Sequence, residues 1–252
     1  MNYNKIAETL DLAAHKAEAV PQISQKTEIN LDQAYAIQSI SLGRRYVRGE
    51  KLVGLKLGFT SKAKMEQMGV HDTIWGRLTD KMQYQAGDEI TKSDFIHPRA
   101  EPEIAFKVKS DITSEVTLEN AAEHVSEVAV AIEIIDSRYQ NFKFSLEDVV
   151  ADNCSSAAFV IGEWKENTKV DDISMSLVVN DVIIHKGNSN AILGNPWESF
   201  VAAARLAAEN GEILRGGDII LAGAATPAVY IDKGQSISAH AEGLGSVYIS
   251  VK

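Results

Sequence analysis

The chain has 252 residues, 45% hydrophobic and 24% charged, with a formal net charge of −10 and one cysteine. That length fits one large globular domain or one and a half, and the acidic balance argues against non-specific nucleic-acid binding, which needs a basic face. A single cysteine excludes an internal disulfide and a cysteine-based zinc site; MNYNKIAETL lacks a signal peptide's apolar core and no apolar run is long enough to span a membrane, so a cytoplasmic protein without membrane contact is expected.

In chain order, Ile6, Leu10, Ala13, Ala14 and Ala17 share one stripe of a helix over 5–18, which Pro21 is expected to end. Asn30 caps a second helix through Val47, with Leu31, Ala34, Tyr35 and Ile37 toward a core and Gly49 beyond its end. Residues 1–50 are therefore read as an N-terminal helical segment packed on a strand-rich body, 51–252. LVGLKLGF (52–59) reads as a strand with Lys56 as its only charge. Thr60 or Ser61 then caps a short helix, SKAKMEQM, closed by Gly69. HDTIWGRLTDKM (71–82) reads as an irregular loop over a pocket.

The strand EPEIAF places Glu101 and Glu103 two residues apart and so on one face. Thr117 caps a short helix to His124, and VAVAIEII (128–135) is an apolar strand interrupted only by Glu133. Ser145-Leu-Glu-Asp148 is a capping box. Asn153–Ser156 turn the chain into AAFVIG, and Asn180-Asp181 suits a type I′ hairpin. Asn195-Pro196-Trp197-Glu198 starts a helix to Asn210, and Gly243-Leu-Gly245 turns a final hairpin. Strands joined by hairpins and loops, after two helices, indicate α+β with a mixed or rolled sheet. No glycine-rich phosphate loop opens a helix in the expected context.

Glu133 carries the chemical argument. A buried unpaired carboxylate costs several kcal/mol, roughly, or takes up a proton. Grouping it with Glu101 and Glu103 around one divalent cation resolves that cost, and oxygen donors with open positions suit Mg²⁺ or Mn²⁺. The other reading puts Glu101 and Glu103 on a solvated face paired with Arg or Lys. Lys56 likewise has two readings, a cation or proton carrier beside the metal or a lysine snorkelling at a sheet edge. Ser61, Ser155 and Thr226 are placed where they could line a pocket. Arg138 could pair with Glu103 or with a substrate carboxylate, and Cys154 reads as a small buried residue.

The stretches GLKLGFTSKAKMEQMGV, HPRAEPEIAF, AIEIID and ADNCSSAAFVIG, in this order over nearly the whole chain, resemble the hydratase/decarboxylase family of meta-cleavage pathways, within the fumarylacetoacetate hydrolase superfamily. The resemblance implies a mixed β-sheet roll with flanking helices. It also implies Mg²⁺ or Mn²⁺ on Glu101, Glu103 and Glu133, with Lys56 as a catalytic or substrate-contacting residue. The family's two activities are hydration of 2-hydroxypenta-2,4-dienoate and decarboxylation of 2-oxo-3-hexenedioate to that dienoate. WGRLTDKM, EIIDSRYQNFKFSLEDVVADN and ILAGAATPA look more like the decarboxylase branch. So does Ile74, which stands in VHDTIWG where the hydratase pattern has an acid: an apolar side chain cannot move a proton for water addition but can help desolvate a leaving carboxylate.

The resemblance thus implies an aromatic-catabolic lyase acting on a small anionic 2-oxo dicarboxylate. It further implies a homo-oligomer and a complex with the sister hydratase. The alternatives are that hydratase itself and a non-catalytic partner subunit; intact Lys56, Glu101, Glu103 and Glu133 speak against the latter.

Overall fold

The computed structural model describes residues 2–61, 65–66 and 69–252. The short helix expected over 61–68 falls largely outside them. Helix α1 (Tyr3–Lys16) is capped by Asn2 and ends at Ala17, which takes a left-handed conformation four residues before Pro21. Helix α2 (Leu31–Val47) carries a full capping box between Asn30 and Gln33. Ala34 and Ile37 are buried, but Leu31, expected toward the core, is exposed. No helix among the described residues is long and apolar enough to cross a membrane.

The strands form two sheets. Strands β1 (Leu52–Gly58), β2 (Ile74–Thr79), β3 (Gln83–Tyr84), β5 (Arg99–Val108), β6 (Val125–Ile135), β7 (Ser156–Ile161) and β10 (Ile219–Ala224) run in the order β2-β1-β10-β5-β6-β7-β3. The short β11 (Val229–Tyr230) pairs with the start of β5. Strands β4 (Glu89–Ile90), β8 (Ser174–Val179), β9 (Val182–Asn188), β12 (Ser236–Ala241) and β13 (Gly245–Val251) form the second, in the order β4-β13-β12-β8-β9. Pairing is antiparallel except for β1–β10, β3–β7 and β4–β13.

The segment expected as a loop over 71–82 is a strand followed by a 3₁₀ turn. All six residues of β2 are buried, so it has no polar face and no alternation to betray a strand. It also closes the sheet. β2 and β3 lie at opposite ends of the strand order, yet only Asp80–Met82 separate them. Three linking residues reach no more than about 14 Å, so the two edges must approach and the sheet must curl into a roll.

The faces of the roll differ. On β5 and β6 the residues Ala100, Ile104, Phe106, Val130 and Ile132 pack outward with Leu177, Ile237, Val247 and Ile249 of the second sheet. Helix α4 (Pro196–Glu209) covers this core through Phe200, Ala203 and Ala207. The concave face carries Ala105, Ala129 and Ala131 with Leu78, Met82, Phe159 and Leu221. Its alanines leave room near the axis. Helices α1 and α2, with α3 (Leu146–Ala151), pack on Ile74, Tyr139 and Cys154 in a separate cluster. The buried Gln38 amide fixes α2 there, donating to the carbonyls of Trp75 (3.1 Å) and Val150 (2.9 Å).

Candidate active site

Register brings the acidic residues together. Glu101 faces Glu133 directly across β5–β6, and Glu103 faces Ala131 in the next same-face row. One ligand oxygen from each of Glu101, Glu103 and Glu133 lies within 4.8 Å of the others. Glu103 and Glu133 are fully buried. Glu103 Oε2 accepts the Gly223 N–H at 2.7 Å. Gly223 has φ +109°, and a Cβ there would overlap the Thr60 side chain, so glycine is required where β10 presents this donor.

Lys56 is not a snorkelling edge lysine. Its strand lies between β2 and β10, and the side chain is 3% exposed. Nζ sits 3.0 Å from Glu133 Oε2, an ion-pair distance at an angle outside hydrogen-bond geometry. Burial alone would push the Lys56 ammonium down, but the negative charge of Glu133, with Glu103 and Glu101 behind it, outweighs burial and holds it above its ordinary value. Burial first, then the charge of Glu133, raise Glu103 well above the usual carboxylate range.

Glu103 Oε1 and both oxygens of Glu133 are buried without a hydrogen-bond donor. Such atoms are costly unless something absent from the side-chain inventory meets them. Three carboxylates converging within one coordination sphere fit a hard divalent cation, which takes oxygen ligands and offsets their mutual repulsion.

A cavity of about 610 Å³ opens over this cluster, lined among others by Lys56, Ser61, Ile74, Glu101, Ser155 and Thr226. Glu103 and Glu133 lie at the buried cluster beside it. The Thr226 hydroxyl is turned to the Pro227 carbonyl at 3.3 Å. Ser155 differs: its Oγ is buried with no hydrogen-bond partner. It ends a run of three left-handed non-glycine residues, Asn153, Cys154 and Ser155, with φ of 50°, 51° and 58°. Such a run is costly and persists only where its surroundings enforce it. Here the Asn153 side chain exchanges bonds with the Arg77 backbone at 2.8 and 2.9 Å, and Gly76 lies so close that a Cβ would come within 2.6 Å of the Asn153 carbonyl.

Arg138 has a structural task. It is buried and bonded to Asp152 and to the carbonyls of Asp136, Asp152 and Ser156, so it reaches neither Glu103 nor a ligand. Cys154 donates from Sγ to the Trp75 carbonyl at 3.0 Å, and burial pushes its thiol up to about 12. The native chain should therefore give no thiol signal with Ellman's reagent near pH 8, and one full equivalent in guanidinium. Rapid labelling of the native chain would mean that the 153–155 turn opens.

Among the lining residues that escaped the sequence reading are Phe59, Arg99 and Phe142. Arg99 had a usable signal, since it stands two residues before Glu101 and so on the same strand face. A smaller cavity of about 210 Å³ beneath α1 and α2 is lined by charges that pair internally, including Arg48 with Asp11 (2.6 Å) and Arg45 with Glu50 (3.6 Å).

Residues 69–252 match the family model described as fumarylacetoacetate (FAA) hydrolase C-terminal. The chain is 47% identical over 251 residues, 99% of its length and 98% of the relative's, to 4-oxalocrotonate decarboxylase from a Pseudomonas species. It is 36% identical over 218 residues, 85% of this chain and 83% of the relative, to 2-keto-4-pentenoate hydratase from Burkholderia vietnamiensis. Its fold matches the structure of 4-oxalocrotonate decarboxylase from Pseudomonas putida G7 complexed with magnesium and adipate, with TM-score 0.95 at 33% identity over 99% of this chain and 97% of that one. The chain belongs to the fumarylacetoacetate hydrolase family.

Proposed function

We propose that this chain is a Mg²⁺-dependent carboxy-lyase that converts 2-oxo-3-hexenedioate (4-oxalocrotonate) to 2-hydroxypenta-2,4-dienoate and CO₂. The observation that carries the reading is the cluster of Glu101, Glu103 and Glu133, two of them fully buried, beside a cavity that Glu101 lines, in a chain 47% identical to a decarboxylase of that name. Glu101, Glu103 and Glu133 would hold the cation. When bound it supplies Lewis-acid stabilisation of negative charge developing on the substrate's 2-oxo end.

The chain's own residues do the rest. In the reaction the C5–C6 bond breaks, its electron pair moves through C4 and C3, and negative charge arrives at the C2 oxygen, which gains a proton. Lys56, kept as an ammonium by Glu133, is the donor for that oxygen. Lys56 acts as a hydrogen-bond and proton donor, and the reaction needs no Schiff base, since negative charge at C2 is met by the cation that these carboxylates would hold. Ser155 Oγ, held unpaired by its strained turn, is a preorganised partner for a substrate oxygen. Ile74, 4% exposed, and Phe142 line the same cavity with apolar surface, which excludes water and favours loss of a carboxylate over addition of water. The hydratase similarity supports a place beside a sister hydratase that consumes the dienoate.

With purified protein and Mg²⁺, 2-oxo-3-hexenedioate should release CO₂ as the dienoate absorbance appears. EDTA should stop the release and excess Mg²⁺ restore it. No CO₂, with consumption of added 2-hydroxypenta-2,4-dienoate instead, would assign the chain to hydration.

A further inference from the structure

Arg99 opens β5 on the face that carries Glu101 and Glu103, and it lines the cavity. Its guanidinium is clamped between two rings: Cζ lies 3.9 Å from the Phe142 ring centroid and 4.1 Å from that of Tyr230. The Tyr230 hydroxyl accepts a hydrogen bond from Nη2. Arg99 Nε is buried and has no partner. Arg77, Arg138, Arg205 and Arg215 each pair with a carboxylate; among the described residues Arg99 pairs with none. A cation held by two rings and one tyrosine hydroxyl, with a buried donor unused and no carboxylate partner among the described residues, is matched to an anionic oxygen from a ligand.

We infer that Arg99 binds the carboxylate at the far end of the substrate from its 2-oxo group, and so selects dicarboxylates over monocarboxylates. This rests on the decarboxylase reading above. Spacing supports it: residues two apart on a strand are separated by about 6.7 Å, and the carboxylate carbons of an extended six-carbon dicarboxylate by about 6 Å at ordinary bond lengths. One end at the Glu101 cluster leaves the other within reach of Arg99. The ring clamp holds the fork in place before binding, so little freedom is lost. The contact also has a direction. The far carboxylate surrenders its charge as CO₂ forms, so Arg99 holds the ground state more tightly than the transition state. It serves affinity and selection, not rate.

The test is isothermal titration of the Mg²⁺-loaded full chain with 2-oxoadipate and with 2-oxopentanoate, which share the 2-oxo acid end and differ in the far carboxylate. In Arg99→Met, which keeps an apolar stem between the rings, affinity for 2-oxoadipate should fall about 30-fold. Affinity for 2-oxopentanoate should stay within about 2-fold. KM for 2-oxo-3-hexenedioate should rise and kcat should not fall, because the lost contact held the ground state more tightly than the transition state. Arg99→Lys, which keeps the charge but not the fork, should lose the same selectivity by about 10-fold, and decides the matter if the methionine variant does not fold. Equal weakening of both analogues, or unchanged 2-oxoadipate binding, overturns the inference. Failure of the wild type to decarboxylate 2-oxo-3-hexenedioate would instead overturn the functional reading, and the two analogues would still report whether Arg99 selects dicarboxylates.

Discussion

Glu103→Gln should reduce Mg²⁺-dependent CO₂ release at least about 10³-fold, a loss of about 4 kcal/mol in transition-state stabilisation, and leave the fold intact. Glutamine has nearly the same volume and its amide oxygen can still accept the Gly223 N–H that Glu103 now takes at 2.7 Å. What it removes is one of the negative charges that would hold the cation. The stability readout should move the other way. Without metal, Glu103 and Glu133 are fully buried in one cluster with Glu101, and Lys56 Nζ lies 3.0 Å from Glu133. Removing one charge relieves repulsion, so metal-free Glu103→Gln should melt above the metal-free wild type. Added Mg²⁺ should raise Tm of the wild type and not of the variant. Full activity in Glu103→Gln, or an equal Mg²⁺ shift in both proteins, would remove Glu103 from the metal site.

Lys56→Met should be the most damaging substitution for the metal-free protein. Lys56 and Glu133 are both buried and 3.0 Å apart. Deleting one partner of such a pair leaves an uncompensated charge and costs about 3–5 kcal/mol, part of which Glu133 can escape by taking up a proton. Mg²⁺ should recover much of this stability, because a cation can meet the stranded oxygens. Activity should not recover: with metal restored, kcat should remain down by about 10²–10⁴ for want of a donor at the substrate's C2 oxygen. Urea melts with and without Mg²⁺, alongside kcat on the metal-loaded protein, separate the two effects. A metal-loaded Lys56→Met with normal kcat would confine Lys56 to neutralising Glu133.

The sites that could be read from the chain were those where neighbouring residues carry the information. The parity of Glu101 and Glu103 places both on one strand face, and both lie on the concave side of the roll. Asn30, Ser145 and Asn195 cap their helices because a short polar side chain can reach an amide within its own turn. Asn180 and Asp181 take positive φ at the hairpin tip, which these residue types tolerate. β2 was unreadable for the opposite reason: a strand buried on both faces has no pattern of its own, and only its pairing with β1 defines it. Arg99 shared the parity of the two glutamates, but the rings that clamp it come from residues 142 and 230.

By itself, then, the sequence determined local chemistry: which residues cap, which turn, and that an acid stood in an apolar strand and wanted a partner. Only the tertiary structure decided the partners. Glu133 meets Glu101 through the β5–β6 register, and Lys56 reaches Glu133 from a strand that is not its neighbour. Arg138 is committed to Asp152 rather than to the cavity. The reach of Lys56 to Glu133 depends on the curvature of the roll, which brings side chains from β1 and β6 together over small alanines. Convergence of that kind follows from long-range strand order and curvature, and no stretch of neighbouring residues encodes it.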